Sequence, residues 1–171
     1  FLLFLLKNHT SATLTKTAEI HHNWKQKSGK VGLFMSHFEF DIHTHTIASG
    51  HGSAATITDM VKTARTQHLN MLGISDHGPA TLGGGKPAYF RNLTYAPKNR
   101  MGIRMLYGAE VSILDNHGKL DLEDEILKHL DYVIASLHRP AKRPGSKEEN
   151  TRSYIEAMKK PYVRSSDIVM M

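Results

Sequence analysis

The chain alternates short apolar runs with stretches of helical periodicity, and this alternation constrains its fold more than any other feature of the sequence. The apolar runs predict four strands, at residues 38–43, 70–75, 104–111 and 131–137. Helical spacing predicts three helices, at about residues 58–68, 122–130 and 147–160. Thr56 or Thr58 would cap the first helix. Because strands that alternate with helices or long crossovers favour parallel βα units, we predict an α/β fold with about four such units.

The segment at residues 78–102 is rich in glycine and proline, and it predicts a long irregular connection between the second and third strands. Its Gly-Gly-Gly-Lys run at 83–86 superficially resembles a phosphate-binding loop. The run lacks the spacing and the following Ser or Thr of a nucleotide-binding loop, so we predict no nucleotide site there.

Histidine and glutamate side chains fall at the carboxyl ends of the predicted strands. The strand-end residues, in chain order, are His43, His45, His77, Glu110 and His138, and His51 lies in the loop after the first strand. In a parallel βα barrel the carboxyl ends of all strands converge on one face, where chemistry is assembled. A lone histidine at a strand end is ordinarily a solvated loop residue. Five ligand-type residues at successive strand ends instead predict a metal site.

His43 and His45 are two residues apart, so their rings point to the same side of an extended segment. Asp41 lies on that side as well. Two imidazoles on one face of a strand can chelate one ion. Asp76, which directly precedes His77, is assigned a catalytic role, in which it orients a metal ligand.

The chain has no cysteine and twelve histidines. The absence of cysteine excludes disulfides and thiolate metal sites, so any metal must bind through nitrogen and oxygen. Imidazole and carboxylate ligands suit divalent zinc best, and they also suit manganese and iron. Lys142 and Arg143, a few residues after His138, are candidates to hold a substrate phosphate, although a solvated surface cluster would have the same composition.

The formal charge of +6 is concentrated near the amino terminus, where residues 7–30 hold five lysines and one glutamate. The rest of the chain is nearly neutral and has no stripe of basic and aromatic residues, which argues against a nucleic-acid partner. The apolar run at residues 1–6 is far shorter than the roughly 20 residues that span a bilayer. It also lacks the flanks of a secretory signal, so we predict a cytoplasmic protein without a membrane partner.

Four ordered motifs resemble those of the PHP family, named for polymerase and histidinol phosphatase. They are DIHTHT at 41–46, SDHGP at 75–79, GAEV at 108–111 and ASLH at 135–138. The runs YFRNL at 89–93 and KEENTR at 147–152 are similar to the small single-domain bacterial phosphatases of that family. The resemblance extends over residues 38–163.

This resemblance implies a distorted βα barrel, commonly of seven strands, that binds up to three divalent ions. It implies that His43 and His45 hold one ion and that His51 and His77 hold a second. It also implies that Glu110 bridges to a third ion, which His138 helps to hold. The implied activity is metal-dependent hydrolysis of a small phosphomonoester.

The family pattern continues with a His-Pro and an Asp-x-His motif, and no histidine follows His138 in this chain. We therefore expect a partial barrel: a leader at residues 1–34 with Met35 as the natural start, the amino-terminal part of a PHP domain at 35–163, and a divergent tail at 164–171. Open barrel edges would favour self-association. Two alternatives to the phosphoesterase stay open at this stage, namely an inactive metal-binding fragment and a nuclease-like module.

Overall fold

The predicted alternation of strands and helices is present in the computed structural model of the chain, which describes residues 40–139, 141–160 and 168–170. The predicted leader at 1–34 lies outside the described residues. Within them the strands are β1 (Phe40–Thr44), β2 (Met71–Ile74), β3 (Asn99–Arg100), β4 (Ile103–Ser112), β5 (Tyr132–Ser136) and β6 (Ile168–Met170). The helices are α1 (Ile57–Thr66), α2 (Pro87–Leu93), α3 (Asp124–Leu127) and α4 (Lys147–Met158), with a 3-10 turn at Ile47–Ser49.

The strands form one curled sheet in the order β1-β2-β4-β5-β6, in which all neighbours are parallel. The short strand β3 adds an antiparallel pair to the start of β4. The first half of β4 pairs with β2, and its second half pairs with β5, from Gly108 opposite Tyr132 to Ser112 opposite Ser136. This stagger of successive strands is what tilts and curls a sheet in a barrel. The predicted class, a partial βα barrel, is confirmed.

Side chains alternate between the two faces of the sheet, as the period of two requires. On β5, Val133 and Ala135 join the large core that the helices cover, whereas Tyr132 and Ile134 form a second cluster with Ile42 on the inner face. Leu106 of β4 packs against the inner cluster. The sheet therefore has an outer apolar layer under its helices and a small apolar layer inside the curl.

Tyr132 stabilises the curvature of the sheet from its inner face. Its hydroxyl donates a 2.7 Å hydrogen bond to the carbonyl of Ile42, so a side chain of β5 reaches across β4 and β2 to β1. The ring needs glycine beneath it, since a Cβ at Gly73 would lie 2.5 Å from the Tyr132 hydroxyl and one at Gly108 would lie 2.7 Å from the ring. These two glycines therefore provide the space in which Tyr132 crosses the sheet.

The structure differs from the sequence-based expectation at three places. The connection at 78–102 is not irregular throughout, because it contains α2. Pro87 fits the first turn of that helix, and Phe90 and Leu93, three residues apart, are buried in the outer core. This packing outweighs the glycines and prolines on which the prediction rested.

The predicted helix at 122–130 shortens to α3, because the turns after it tighten to bonds between residues three apart, such as Leu130 N–H to the Leu127 carbonyl at 3.3 Å. The third difference is an additional strand, β6, which was not among the four predicted strands and which pairs with β5. Of the two cap residues predicted for α1, the structure has Thr56, whose hydroxyl accepts from Asp59 N–H at 3.3 Å. Among the described residues, no helix combines the length and the apolar character needed to cross a membrane.

Tyr132→Phe should lower the free energy of unfolding by about 1–3 kcal/mol, because it removes the buried donor to the Ile42 carbonyl. Urea denaturation followed by circular dichroism measures the change. Tyr107→Phe is the matched control, since the Tyr107 hydroxyl also donates to a backbone carbonyl, that of Pro97 at 3.0 Å, but in a less buried place. An equal or larger loss in the control would contradict the role given to Tyr132.

Candidate metal centre

Glu110, on the inner face of β4, is the carboxylate on which the strand-end histidines converge. Its Oε2 atom lies 3.2 Å from His43 Nε2, 3.3 Å from His45 Nε2 and 3.1 Å from His77 Nδ1. Its Oε1 atom lies 3.0 Å from His138 Nε2. Among the described residues, four predicted histidine ligands from the ends of three strands thus meet at the fifth predicted ligand, the buried Glu110.

The backbone explains this convergence. The register of β1 against β2 shifts between Asp41 and Thr44, where four residues of β1 oppose three of β2, and irregularities of the β-bulge kind re-aim side chains next to sites. Thr44, between the two histidines, points away and donates its hydroxyl to the Gly73 carbonyl at 2.7 Å. His77 continues the pairing of β2 with β4 as an isolated parallel bridge to Glu110. The two side chains therefore lie side by side on adjacent strands.

The Nδ1 atom of His77 is an orphaned buried polar atom. It lies 3.1 Å from Glu110 Oε2, yet its orientation is not that of a hydrogen bond, and no other partner reaches it among the described residues. Burial lowers the pKa of His77 to about 4, so the ring is neutral near pH 7 and has an unprotonated nitrogen. A buried nitrogen without a hydrogen bond, set beside a carboxylate oxygen, fits the role of a metal ligand.

The electrostatics of the cluster favour an anionic Glu110. Burial alone would raise the pKa of its carboxyl group, but hydrogen bonds from His138, His43 and Ser136 hold that pKa well below the ordinary range. The hydrogen bond to Glu110 raises the pKa of His43, whereas burial lowers the pKa of His45. The centre thus combines one anion with imidazoles that differ in their affinity for protons.

Two groups of three ligand atoms are close enough to hold an ion, in a search of the described residues. His43, His45 and Glu110 form one group, and His77, Glu110 and His138 form the other. Glu110 belongs to both, so its two oxygens could serve neighbouring ions. Nitrogen and oxygen ligands in this mixture suit zinc, manganese or iron.

His51 is brought beside the centre but belongs to neither group. Its exposed ring lies 4.6 Å from the ring of His77 and 6.2 Å from that of His45, measured between centroids. The pairing of His51 with His77 on one ion, which the family resemblance implies, stays a prediction. The ring of His77 lies about as close to the ring of His138, the histidine of its own ligand group, with centroids 4.7 Å apart.

Asp76 is fully buried and binds the loops around the centre. Its Oδ1 atom accepts from the Thr46 N–H at 2.6 Å and from the Ser49 hydroxyl at 2.7 Å. Its Oδ2 atom accepts from the Thr46 hydroxyl at 2.8 Å and from the hydroxyl of Tyr89 in α2. Burial, and then the adjacent carboxylate, raise the pKa of Tyr89 far above its ordinary value, so it remains a donor. Asp76 contacts these donors, and Ser49 in turn contacts a histidine.

Sequence reasoning missed the hydroxyl groups that surround the histidines. Ser49 Oγ lies 3.0 Å from His45 Nδ1, Ser112 Oγ lies 3.0 Å from His138 Nδ1, and Ser136 donates to Glu110 at 2.8 Å. Ser136 had a readable signal, since it is two residues before His138 on one strand and so shares its side. The Ser112 contact joins segments that are distant in the chain, and the Ser49 contact depends on the 3-10 turn after β1.

Lys142 follows His138 by one turn, and its backbone N–H donates to the His138 carbonyl at 3.1 Å. Arg143 beside it is exposed. These positions keep both residues near the carboxyl end of β5. Their role as ligands of a substrate phosphate stays a prediction.

Comparison with known proteins finds a family profile and relatives that are similar to this chain. The sequence profile of the PHP domain matches residues 41–168. A protein named probable phosphatase from Clostridium botulinum (strain Langeland) is 46% identical over 123 residues, which cover 72% of this chain and 50% of that protein. Proteins of the same name from Clostridium novyi and Acetivibrio thermocellus are each 43% identical over 126 residues, with 74% of this chain and 51% and 52% of those proteins covered. The chain spans about half the length of these relatives.

Asp76→Ala should lower the free energy of unfolding by about 3–5 kcal/mol, because it leaves buried donors of Thr46, Ser49 and Tyr89 without an acceptor. Chemical denaturation measures this loss. Asp59→Ala is the control, since Asp59 also accepts hydrogen bonds, from Thr56, but at the surface. Equal losses in the two variants would mean that Asp76 does not bind the loops together.

Proposed function

Because the chain belongs to the PHP domain family, we propose that it carries most of the metal centre of a phosphatase-type hydrolase that cleaves small phosphomonoesters. The observation that supports this proposal best is the sharing of the Glu110 carboxylate by four histidine rings within the described residues. A carboxylate with this many imidazole nitrogens around it supports a divalent-metal site that holds more than one ion.

We assign the ligands as the family resemblance implies. The ligand residues are His43, His45, His51, His77, Glu110 and His138, for up to three divalent ions in the complete site. Zinc is the first choice, with manganese and iron as alternatives. Divalent ions bound there would supply activated water at neutral pH and would stabilise the charge on the phosphate oxygens.

The charge states of the protein's own side chains suit metal binding. Glu110 stays ionised next to His138 and His43, so it offers an anion to cations on either side. His45 and His77 have lowered pKa values and are therefore available as neutral ligands near pH 7. Lys142 and Arg143 are proposed to attract the substrate phosphate at the carboxyl end of β5. Asp76 holds the loops that carry these ligands.

The proposed partner is a small phosphorylated molecule, and a second contact is proposed for the sheet edges. Within the described part of the chain, β1 and β6 end the sheet, and each has one side without a strand neighbour. Open edges of this kind favour pairing with another chain. Because the relatives are about twice as long, the activity of the whole protein is part of the proposal.

His43→Ala should weaken zinc binding by more than about 100-fold and should abolish hydrolysis of para-nitrophenyl phosphate, since loss of a group that merely orients a ligand already costs 10- to 100-fold. His117→Ala is the control, because His117 lies exposed in a turn, outside the ligand groups. Elemental analysis of the purified chain and the phosphatase assay give the two readouts.

The results of these two measurements distinguish the three functional interpretations of the chain. Zinc binding with turnover supports the phosphatase, and zinc binding without turnover by wild type supports an inactive metal-binding fragment. Cleavage of single-stranded DNA in preference to the aryl phosphate would favour the nuclease-like module. A wild-type chain that binds no divalent metal would contradict the proposal.

Because Glu110 belongs to both ligand groups, we make a further prediction about the number of zinc ions bound per chain. Glu110→Gln should lower zinc occupancy at both three-ligand groups, because it replaces the anion common to them. His45→Gln and His138→Gln should each affect one group and leave about half of the zinc that wild type binds there. Metal analysis after dialysis against a fixed free zinc concentration tests this. An occupancy in Glu110→Gln equal to that of the single histidine variants would exclude a shared carboxylate.

A further inference from the structure

Ser49, at the end of the 3-10 turn after β1, is fully buried and touches three polar groups of the centre. Its Oγ atom lies 2.7 Å from Asp76 Oδ1, 3.0 Å from His45 Nδ1 and 3.2 Å from the backbone nitrogen of His77. A serine hydroxyl has one proton to donate and can accept at its lone pairs. The three contacts therefore cannot all take the same proton, and counting hydrogens assigns each one.

The backbone N–H of His77 can only donate, so Ser49 Oγ accepts from it. Asp76 Oδ1 already accepts from the Thr46 N–H at 2.6 Å, and it is an acceptor toward Ser49 as well. If the Ser49 proton pointed to His45 instead, two oxygen lone pairs would face each other at 2.7 Å inside the protein. Such a buried contact without a proton is costly, so the proton lies between Ser49 and Asp76.

The remaining neighbour, His45 Nδ1, must then be the donor to Ser49. We propose that Ser49 and Asp76 are positioning residues that hold His45 in the tautomer protonated at Nδ1, which leaves its Nε2 lone pair directed at the metal centre. That Nε2 atom lies 3.2 Å from His43 Nε2 and 3.3 Å from Glu110 Oε2. The inference rests on the proposed function, because it concerns the readiness of a ligand for a metal.

The same count of hydrogens gives different protonation patterns for His43 and His45. His45 Nε2 and Glu110 Oε2 both act as acceptors, so His43 Nε2, 3.2 Å from each, carries a proton in the metal-free centre. In the metal-free centre the Nε2 lone pair is therefore in place in His45, whereas Nε2 of His43 carries a hydrogen. A hydrogen bond to the other ring nitrogen is the usual means by which proteins select the ligating atom of histidine.

The support for this chain of hydrogen bonds comes from separate elements. Thr46 from the β1 loop and Tyr89 from α2 both donate to Asp76, which fixes the acceptor that takes the Ser49 proton. The ring of His45 also stacks on that of His77, with centroids 4.5 Å apart. The orientation of one ligand is thus determined in part by Ser49 and Thr46 after β1, Asp76 after β2 and Tyr89 of α2, which lie outside the ligand groups.

The tautomer can be observed directly in the metal-free protein. Long-range proton–nitrogen NMR spectra of chain labelled with ¹⁵N-histidine distinguish a protonated Nδ1 from a protonated Nε2, and the His45→Gln variant identifies the His45 signals. We expect wild-type His45 to be protonated at Nδ1. In Ser49→Ala it should shift toward the form protonated at Nε2, because the acceptor for Nδ1–H is gone.

Ser75→Ala is the matched control. Ser75 is another buried serine of this region, and its hydroxyl donates to the Thr44 carbonyl at 3.1 Å rather than contacting a histidine ring. Its removal tests for a general effect of losing a buried hydroxyl, and the His45 tautomer should stay as in wild type. Ser49→Thr keeps the hydroxyl and should restore the wild-type spectrum.

Zinc affinity gives a second readout, measured by competition with a chelating dye. Ser49→Ala should bind zinc about 10- to 100-fold more weakly than wild type, and Ser75→Ala should bind it unchanged. A wild-type His45 protonated at Nε2, or a tautomer unaffected by Ser49→Ala, would overturn the inference. If wild type binds no zinc, the proposed function fails. The NMR spectrum of the metal-free wild type still decides the tautomer of His45 in that case. It also decides the tautomer if Ser49→Ala does not fold.

Discussion

Glu110 is the charge around which the carboxyl ends of the strands are arranged. It lies on the central strand, and histidines from β1, β2 and the end of β5 approach its two oxygens within 3.3 Å. A buried carboxylate is expensive unless charge and hydrogen bonds compensate it. The histidine nitrogens and the Ser136 hydroxyl provide this compensation, and among the described residues the buried Nδ1 of His77 has no hydrogen-bond partner.

The curvature of the sheet makes this convergence geometrically possible. A flat sheet would keep β1 and β5 apart, because two strands lie between them. The hydrogen bond from Tyr132 to the Ile42 carbonyl crosses that interval on the inner face, over Gly73 and Gly108. The same curl brings His43 of β1 and His138 beyond β5 to opposite sides of one glutamate. The stability of the inner face and the geometry of the metal centre are therefore coupled.

The chemistry-bearing residues were largely readable from the sequence, whereas the groups that orient them were not. His43, His45, His77, Glu110 and His138 were found from their places at strand ends, and the structure brings all five together. Ser49 and Tyr89 had no comparable signal, because a serine in a loop and a tyrosine after a glycine-rich run suit many surface positions. The helix α2 was hidden for a related reason, since its burial of Phe90 and Leu93 depends on a core formed by other segments.

By itself, the sequence determined the alternation of strands and helices, the absence of thiolate ligands and the set of residue types at the strand ends. These properties follow from local periodicity and from side-chain chemistry, which need no knowledge of distant contacts. Only the tertiary structure decided which ligands share Glu110, which loops Asp76 joins, and which nitrogen of His45 faces the metal centre. Those properties depend on the stagger of β4 against its neighbours and on the distances between residues far apart in the chain, and such distances are defined only once the sheet has curled.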